Sequence, residues 1–306
     1  MRSDSSTGPG GRWSPVRLAE NGSVKIAYDQ LQGPAGGEPL LLFMGLGVSR
    51  HWWPTGFCQA LAEEGFRVAR FDQRDAGEST HLPPADTSNP FAALLRRRGT
   101  AYTAEDMTDD AIAVMDALHW DTAHVFGHSM GGLLAQRAAL RHPARVRTLT
   151  SSAAVPSDIT GLANLRYVNF GTVAKIARKK HPRTRQGNID AALDLARGIA
   201  SPAYPFDEAA ELERITRLAD TGVTDGAAQS RQIGARWSGP KLATLTAPTL
   251  VLHGDKDLIV RARAARTIAG SVPGSRLVIY PGVGHDLPEP LWRTVAKDVG
   301  ALALES

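Results

Sequence analysis

The segment from Ala123 to Leu140 constrains the fold more than any other part of the chain. Residues 123–126 form a short, mostly apolar run typical of a buried strand, and residues 133–140 have the composition of a helix. Between them, Gly127-His128-Ser129-Met130-Gly131 has the pattern G-x-S-x-G. A serine in a sharp turn between strand and helix adopts a strained backbone conformation, and the flanking glycines allow neighbouring chain to pass closely. The segment therefore predicts a nucleophilic Ser129 at the edge of a sheet.

Predicted strands alternate with predicted helices along most of the chain. This order is typical of an α/β fold, in which a mostly parallel sheet is covered by helices on both faces. Asn21-Gly22 joins the first two strands as an antiparallel hairpin. We expect about eight strands, in a core formed by residues 14–155 and 241–306. The predicted strands are 15–20, 24–31, 40–44, 66–71, 123–126, 146–154, 248–254 and 276–280, and the predicted helices are 55–64, 103–118, 133–140, 262–269 and 289–302.

The block 156–240 interrupts this alternation. It contains helical patches at 189–197 and 206–218 but no convincing strand. Because it is inserted between two strands, we expect a helical cap over their C-terminal edge, where ligands bind in open α/β sheets. Residues 1–13 are rich in serine and glycine, and we expect them to be a disordered lead-in.

Composition excludes several kinds of function. One cysteine, Cys58, allows neither an internal disulfide nor a thiolate metal cluster, and a net charge of +4 does not indicate nucleic-acid binding. Residues 1–13 lack the apolar core of a signal peptide, and no apolar run approaches the roughly 20 residues of a membrane span. We expect a cytoplasmic protein without stable membrane insertion. Formation of a homodimer is left open.

The basic runs 175–185 and 96–98 are interpreted as solvated surface, with attraction of acidic substrates or an anionic membrane surface as the alternative.

A serine nucleophile needs a general base and an acid that orients the base. His285 lies in a glycine-rich loop just after the last predicted strand, and Asp257 follows the preceding strand. The chain order Ser129, Asp257, His285 is the order expected of this arrangement. Asp255 and Asp158, which also follow strands, stay open as alternative acids.

The developing oxyanion needs two hydrogen-bond donors. The backbone N–H of Met130 is one candidate, and that of Leu46, in the Gly45-Leu46-Gly47 turn after an apolar strand, is the other. We expect the substrate pocket to include Gly45, Trp52, Trp53 and His128. Further candidates for its apolar wall are Leu46, Phe57, Met130, Tyr167 and Phe170. This chemistry needs no metal and no cofactor.

These motifs together resemble the α/β-hydrolase family over nearly the whole chain, from about residue 15 to the C-terminus. Within it the chain is similar to small esterases of the aclacinomycin methylesterase type. Two positions depart from the commoner family pattern, since Met44 replaces a histidine and Asp75 replaces a glycine, and methylesterase-like members share both. The motifs are Met44-Gly45-Leu46-Gly47 with Trp52 and Trp53, the run from Asp72 to Ser79, Gly127–Gly132, His253–Asp257 and Gly282–His285.

The resemblance implies Ser129, Asp257 and His285 as a catalytic triad, with the amides of Leu46 and Met130 as oxyanion donors. It implies a serine hydrolase acting on small-molecule carboxylic esters, including methyl or other small-alcohol esters. A serine at 129 also excludes the aspartate chemistry of haloalkane dehalogenases and epoxide hydrolases. Two alternatives stay open: a perhydrolase, acyltransferase or carbon–carbon bond hydrolase with the same triad, and a receptor that binds without turnover.

Overall fold

A computed structural model describes residues 11–34, 36–83, 101–159, 161–182, 184–219 and 226–306. Its centre is one eight-stranded sheet in the order β1-β2-β4-β3-β5-β6-β7-β8. The pairs β1–β2 and β2–β4 are antiparallel, and the other five pairs are parallel. The predicted eight-stranded, mostly parallel sheet is therefore confirmed. The strands are β1 Arg17–Asn21, β2 Val24–Gln30, β3 Glu38–Phe43, β4 Phe66–Phe71, β5 Ala123–His128, β6 Val146–Ser152, β7 Thr249–Gly254 and β8 Arg276–Tyr280.

Helices cover both faces of the sheet because its central strands carry apolar side chains on both sides. Leu41 and Phe43 of β3 belong to one apolar cluster, whereas Leu40 and Leu42 belong to the other. Helices α2, α3 and α8 contribute to the first cluster, and α1 and α9 to the second. The helices are α1 Thr55–Glu63, α2 Ala104–Ala117, α3 Met130–Arg141, α4 Phe170–Arg178, α5 Arg185–Ile199, α6 Glu208–Leu218, α7 Gly226–Gly234, α8 Arg263–Ser271 and α9 Trp292–Ala303.

The register of β3, β5 and β6 aligns the loops that carry the predicted site. Phe43 of β3 lies opposite Gly127 of β5, and Gly127 lies opposite Ser151 of β6. Parallel strands that end at the same level deliver their following loops to one edge. The loop after β3, which contains Gly45, therefore begins beside the turn that contains Ser129.

The bounds of most elements differ from the sequence prediction by one to three residues. Helix α3 starts at Met130 rather than at Leu133, because its first turn includes two glycines that weaken the helical pattern. Strand β6 ends at Ser152 rather than at residue 154, because the next residue, Ala153, takes φ 49° and so leaves the extended conformation. Residues 11–13 are not a disordered lead-in, since Trp13 forms a bridge with Leu31; residues 1–10 lie outside the described residues.

In the described part of the insertion between β6 and β7, where we expected the cap, there are four helices, α4 to α7. Helix α5 includes the predicted patch 189–197, and α6 begins two residues after the start of the predicted patch 206–218, whereas α4 and α7 were not predicted. In the basic run, Lys179 pairs with Asp194 on the surface at 2.9 Å. The run 96–98 lies outside the described residues.

Among the helices that the structure describes, none combines the length and the apolar character required to cross a bilayer.

The motif Asp72–Ser79 forms a turn that is fixed by buried charges. Asp72 accepts hydrogen bonds from the backbone N–H of Arg50 at 2.6 Å and of Glu78 at 2.8 Å. Arg50 is fully buried and also pairs with Asp72 through its guanidinium group. Asp75, where the family commonly has glycine, takes φ 65° and forms a buried ion pair with Arg231 of α7 at 2.7 Å. The motif is therefore a structural junction between the sheet edge and the cap.

We expect Gly131→Ala to destabilise the fold by about 1–3 kcal/mol or more, because its Cβ would lie 2.0 Å from the carbonyl oxygen of Phe43. Gly270→Ala is the matched control: it lies in α8 with no atom within 4 Å of the added Cβ, and should stabilise by about 0.5–1 kcal/mol. Urea unfolding of both variants measures the difference. Equal stability of the two variants would contradict the close contact at residue 131.

Candidate active site

The turn between β5 and α3 holds Ser129 in a conformation that L-residues rarely adopt, with φ 57° and ψ −123°. Its backbone N–H donates to the carbonyl of Ser152 at 2.8 Å. A Cβ on Gly127 would lie 2.2 Å from the carbonyl oxygen of Gly131. The two glycines of the motif are therefore required by direct backbone contact, and this contact keeps the turn tight.

Three side chains from distant parts of the chain meet at this turn. The Nε2 atom of His285 lies 2.9 Å from the Oγ of Ser129, although 156 residues separate them. The Nδ1 atom of His285 lies 2.7 Å from the Oδ2 of Asp257. Both distances are hydrogen-bond lengths, so a proton can pass from the hydroxyl to an imidazole whose far side is held by a carboxylate.

The carboxylate of Asp257 is surrounded by donors. Its Oδ1 accepts from the backbone N–H groups of Ile259 and Val260, both at 2.8 Å, and the Nε2 of His253 lies 3.2 Å from its Oδ2. Burial alone would raise the pKa of Asp257, but the charge interaction with His285 and hydrogen bonds from both histidines outweigh burial and hold this pKa well below its usual value. Asp257 is therefore an anion throughout the neutral range.

The two alternative acids contact backbone rather than imidazole. Asp255 is exposed, and its Oδ1 accepts from the N–H of Gly282 at 2.7 Å. Asp158 accepts from the N–H of Leu242 at 3.2 Å. Of the three candidates, Asp257 is the one that the structure brings to His285. The contact of His253 with this carboxylate was not predicted, because its place at the end of an apolar strand suggested a packing residue.

His128, which we expected in the substrate pocket, lies beneath the loop of His285. Its Nε2 donates to the carbonyl of His285 at 2.8 Å, and its Nδ1 lies 3.1 Å from the Oγ of Ser152. Burial and the neighbouring His285 lower the pKa of His128 to about 3. A neutral His128 with its proton on Nε2 satisfies both contacts, so this side chain supports the backbone of the His285 loop.

The cap holds the same loop from the other side. The N–H of His285 donates to the carbonyl of Ile199 at 2.9 Å, and the N–H of Gly284 donates to the Oγ of Ser201 at 2.8 Å. Ser201 in turn donates to the carboxylate of Asp286. The segment 199–201 after α5 therefore fixes the position of the imidazole. Sequence reasoning missed these residues, because nothing in the cap pattern distinguishes them.

The predicted oxyanion donors belong to two segments next to Ser129: Met130 follows it in the chain, and Leu46 follows Gly45. A Cβ on Gly45 would lie 3.4 Å from the Cβ of Ser129, so the loop after β3 passes directly against the nucleophile. Within the described part of the chain, the N–H groups of Leu46 and Met130 donate to no other residue. Met130 is also the first residue of α3, whose N-terminus favours negative charge. Two donors are therefore available beside the hydroxyl.

The aromatic residues expected in the pocket separate into two groups. Trp52 is partly exposed, lies between the sheet core and the cap, and has the guanidinium group of Arg214 at 4.8 Å from its ring. Trp53 is only 1% exposed and stacks on Phe57, with the ring of Phe126 at its edge. Trp53 and Phe57 therefore belong to the core beneath the site, and the prediction that they line the pocket is wrong.

Two further predicted wall residues lie in the cap. Tyr167 is 7% exposed and packs against Val260 and Ala264, and Phe170 begins α4.

Among the described residues, no cluster of three or more histidine, cysteine, aspartate or glutamate side chains has the arrangement of a metal site.

Comparisons with known proteins agree with this architecture. Residues 38–289 match the family described as alpha/beta hydrolase fold. The esterase RhEst1 from Rhodococcus sp. ECU1013 has a similar solved structure, with a TM-score of 0.73 and 20% sequence identity over 94% of this chain and 100% of that chain. At this identity the similarity shows the fold alone.

Two relatives are similar over nearly their whole length. Rhodomycin D methylesterase DnrP of Streptomyces peucetius is 28% identical, over 90% of this chain and 95% of the relative. The putative carbamate hydrolase RutD of Variovorax paradoxus (strain S110) is 30% identical, over 84% of this chain and 88% of the relative.

We expect the free energy of unfolding of His128→Gln to depend less steeply on pH in acid than that of the wild type. Because the pKa of His128 is lowered to about 3, the unfolded chain binds a proton below pH ~6.5 that the folded protein does not, so the free energy of unfolding decreases as pH falls. This one group contributes a slope that approaches about 1.4 kcal/mol per pH unit near pH 4–5.5. Glutamine keeps a donor for the carbonyl of His285 but does not titrate.

Urea unfolding of wild type and His128→Gln at several pH values between 4 and 7 measures this slope. His119→Gln is the control for the replacement of a histidine by glutamine, since His119 is exposed. An identical slope in His128→Gln and wild type would show that His128 is charged in the folded protein.

Proposed function

We propose that the chain, which belongs to the α/β-hydrolase family, cleaves carboxylic esters through an acyl-enzyme on Ser129. The observation that carries the proposal is the hydrogen-bonded series from Ser129 to His285 and Asp257, with distances of 2.9 and 2.7 Å. Asp257 acts as the orienting acid, His285 as the base, and the backbone N–H groups of Leu46 and Met130 as the oxyanion donors.

The first half-reaction forms the acyl-enzyme. The Oγ of Ser129 attacks the carbonyl carbon while its proton moves to the Nε2 of His285. The C–O double bond opens to an oxyanion that the two amides stabilise, and Asp257 stabilises the imidazolium. The oxyanion then collapses, the bond to the alcohol oxygen breaks, and His285 returns the proton to the departing alcohol. In the second half-reaction, His285 takes a proton from water as the water oxygen attacks the acyl carbon and forms a second oxyanion. This oxyanion collapses, the bond between the acyl carbon and the Oγ of Ser129 breaks, and His285 returns the proton to Ser129 as the acid is released.

The two relatives guide the choice of substrate. One is named for cleavage of a methyl ester, and the other for hydrolysis of a carbamate. The first name agrees with our proposal of methyl or other small-alcohol esters. Trp52, between the sheet core and the cap, is our candidate for contact with the acid part of the substrate.

We expect Ser129→Ala to lose turnover of 4-nitrophenyl acetate by roughly 10⁴- to 10⁶-fold while the protein stays folded, because the attacking oxygen is absent. Asp257→Asn should lose about 10⁴-fold, since it no longer holds the required imidazole tautomer. Release of nitrophenol and circular dichroism measure activity and folding. Asp255→Asn is the matched control, because its carboxylate contacts Gly282 rather than His285, and it should keep activity within about threefold.

A panel of methyl, ethyl and butyl esters, with water, methanol and hydrogen peroxide as acceptors, identifies the reaction. The proposal predicts free acid as the main product with water and a preference for the smaller alcohol. Near-full activity of Ser129→Ala would contradict it. Transfer of the acyl group to methanol or peroxide in preference to water would favour the acyltransferase or perhydrolase alternative, and absence of turnover would favour a receptor.

A further inference from the structure

Gln232 of α7 makes a hydrogen-bonded bridge beneath the loop after β3. Its Oε1 accepts from the backbone N–H of Gly47 at 3.0 Å, and its Nε2 donates to the carbonyl of Arg74 at 2.8 Å. The residue is 4% exposed, so both bonds are protected from water. A side chain of the cap therefore connects two loops that follow neighbouring strands of the sheet.

The bridge contacts the loop at a position that matters for the oxyanion. Gly47 follows Leu46 directly and takes φ 66°, so the chain turns sharply just after the amide that we assign to oxyanion stabilisation. The orientation of the Leu46 N–H depends on the peptide planes on either side of it. The C-terminal end of the β3–β5 pairing, where Phe43 lies opposite Gly127, holds the preceding side, and Gln232 holds the following side.

The helix that carries Gln232 is itself anchored to the core. The neighbouring Arg231 forms two bonds with the carboxylate of Asp75, at 2.7 and 2.8 Å, and Tyr102 donates to the same carboxylate at 2.8 Å. A bidentate pair between a guanidinium group and a carboxylate fixes direction as well as distance. Gln232 is therefore presented to the loop by a rigid support.

From this geometry we infer that Gln232 is a positioning residue, which holds the Leu46 amide in the direction that the oxyanion requires. The inference rests on the proposed esterase function and extends it: part of the cap belongs to the catalytic framework. Small misplacement of a catalytic group costs on the order of 10²-fold in rate, whereas ground-state binding depends less on this amide. Loss of the bridge should therefore reduce kcat more than it changes KM.

Gln232→Met keeps the length of the side chain and removes both hydrogen bonds. We expect kcat for 4-nitrophenyl acetate to fall by about 10- to 100-fold, with KM within about threefold. A trifluoromethyl ketone adds to the serine and places an oxyanion in the same site, so its inhibition constant should rise by about the same factor as kcat/KM falls. A purely structural role would not change transition-state affinity in parallel with rate.

Gln136→Met is the matched control. Gln136 is also buried. It donates to Ser151 and to the carbonyl of Val155 and accepts from the N–H of Ser157, so its loss removes three hydrogen bonds away from the loop 45–47. We expect this variant to lose stability but to keep kcat and the inhibition constant within about threefold. If Gln232→Met does not fold, Gln232→Asn carries the same test, because its shorter amide cannot make both bonds.

Two outcomes separate the inference from the function on which it rests. If wild type turns over esters in a Ser129-dependent way, and Gln232→Met matches Gln136→Met in kcat and in inhibition constant, the positioning role is refuted and the esterase function stands. If wild type shows no Ser129-dependent turnover, the proposed function fails first. A loss of kcat in Gln232→Met but not in Gln136→Met, with a matching rise in the inhibition constant of the ketone, supports the inference.

Discussion

The backbone of Ser129 is the constraint on which the rest of the site depends. Its φ of 57° and ψ of −123° are unfavourable for a serine, and such a conformation persists only where surrounding structure enforces it. A side chain on Gly127 would clash with the backbone of Gly131, one on Gly131 would clash with the carbonyl of Phe43, and the Ser129 N–H is bonded to β6. The cost of this turn is offset by the packing of β5 and α3, and the result is a hydroxyl held in a fixed direction at the sheet edge.

A fixed hydroxyl is useful only if the imidazole meets it, and the structure achieves this by holding the His285 loop from two sides. His128, one residue before the nucleophile, donates to the carbonyl of His285 from below. The segment with Ile199 and Ser201 bonds to the same loop from the cap. The imidazole is therefore positioned jointly by the sheet and by the insertion.

The sequence was informative where the backbone itself demands a residue type. The glycines around Ser129 follow from local sterics, and the alternation of strands with helices follows from the apolar pattern. The predicted helix 103–118 begins at Thr103, which the structure shows as the N-cap of α2 in a capping box with Asp106. The chain order of Asp257 and His285 suggested their meeting, because loops after parallel strands share one edge. That inference needed no knowledge of the cap.

The contacts that the sequence did not reveal depend on tertiary packing. Gln232 and Ser201 lie in a helical insertion whose pattern records only which faces are apolar, so their bonds to distant loops leave no local signal. Trp53 was misplaced for a similar reason, since a tryptophan near a glycine loop fits a pocket wall and a core equally well until its neighbours are known. His253 lies at the end of a buried strand, and its approach to Asp257 depends on how the following loop folds back.

The most direct test of the central claim is the mass of the protein after reaction with diethyl 4-nitrophenyl phosphate, followed by peptide mapping. A serine activated by His285 should lose its proton, displace nitrophenolate and carry one diethylphosphoryl group, and the account predicts this group on Ser129 alone with simultaneous loss of esterase activity. Modification of another residue, or full activity after stoichiometric labelling of Ser129, would contradict the account.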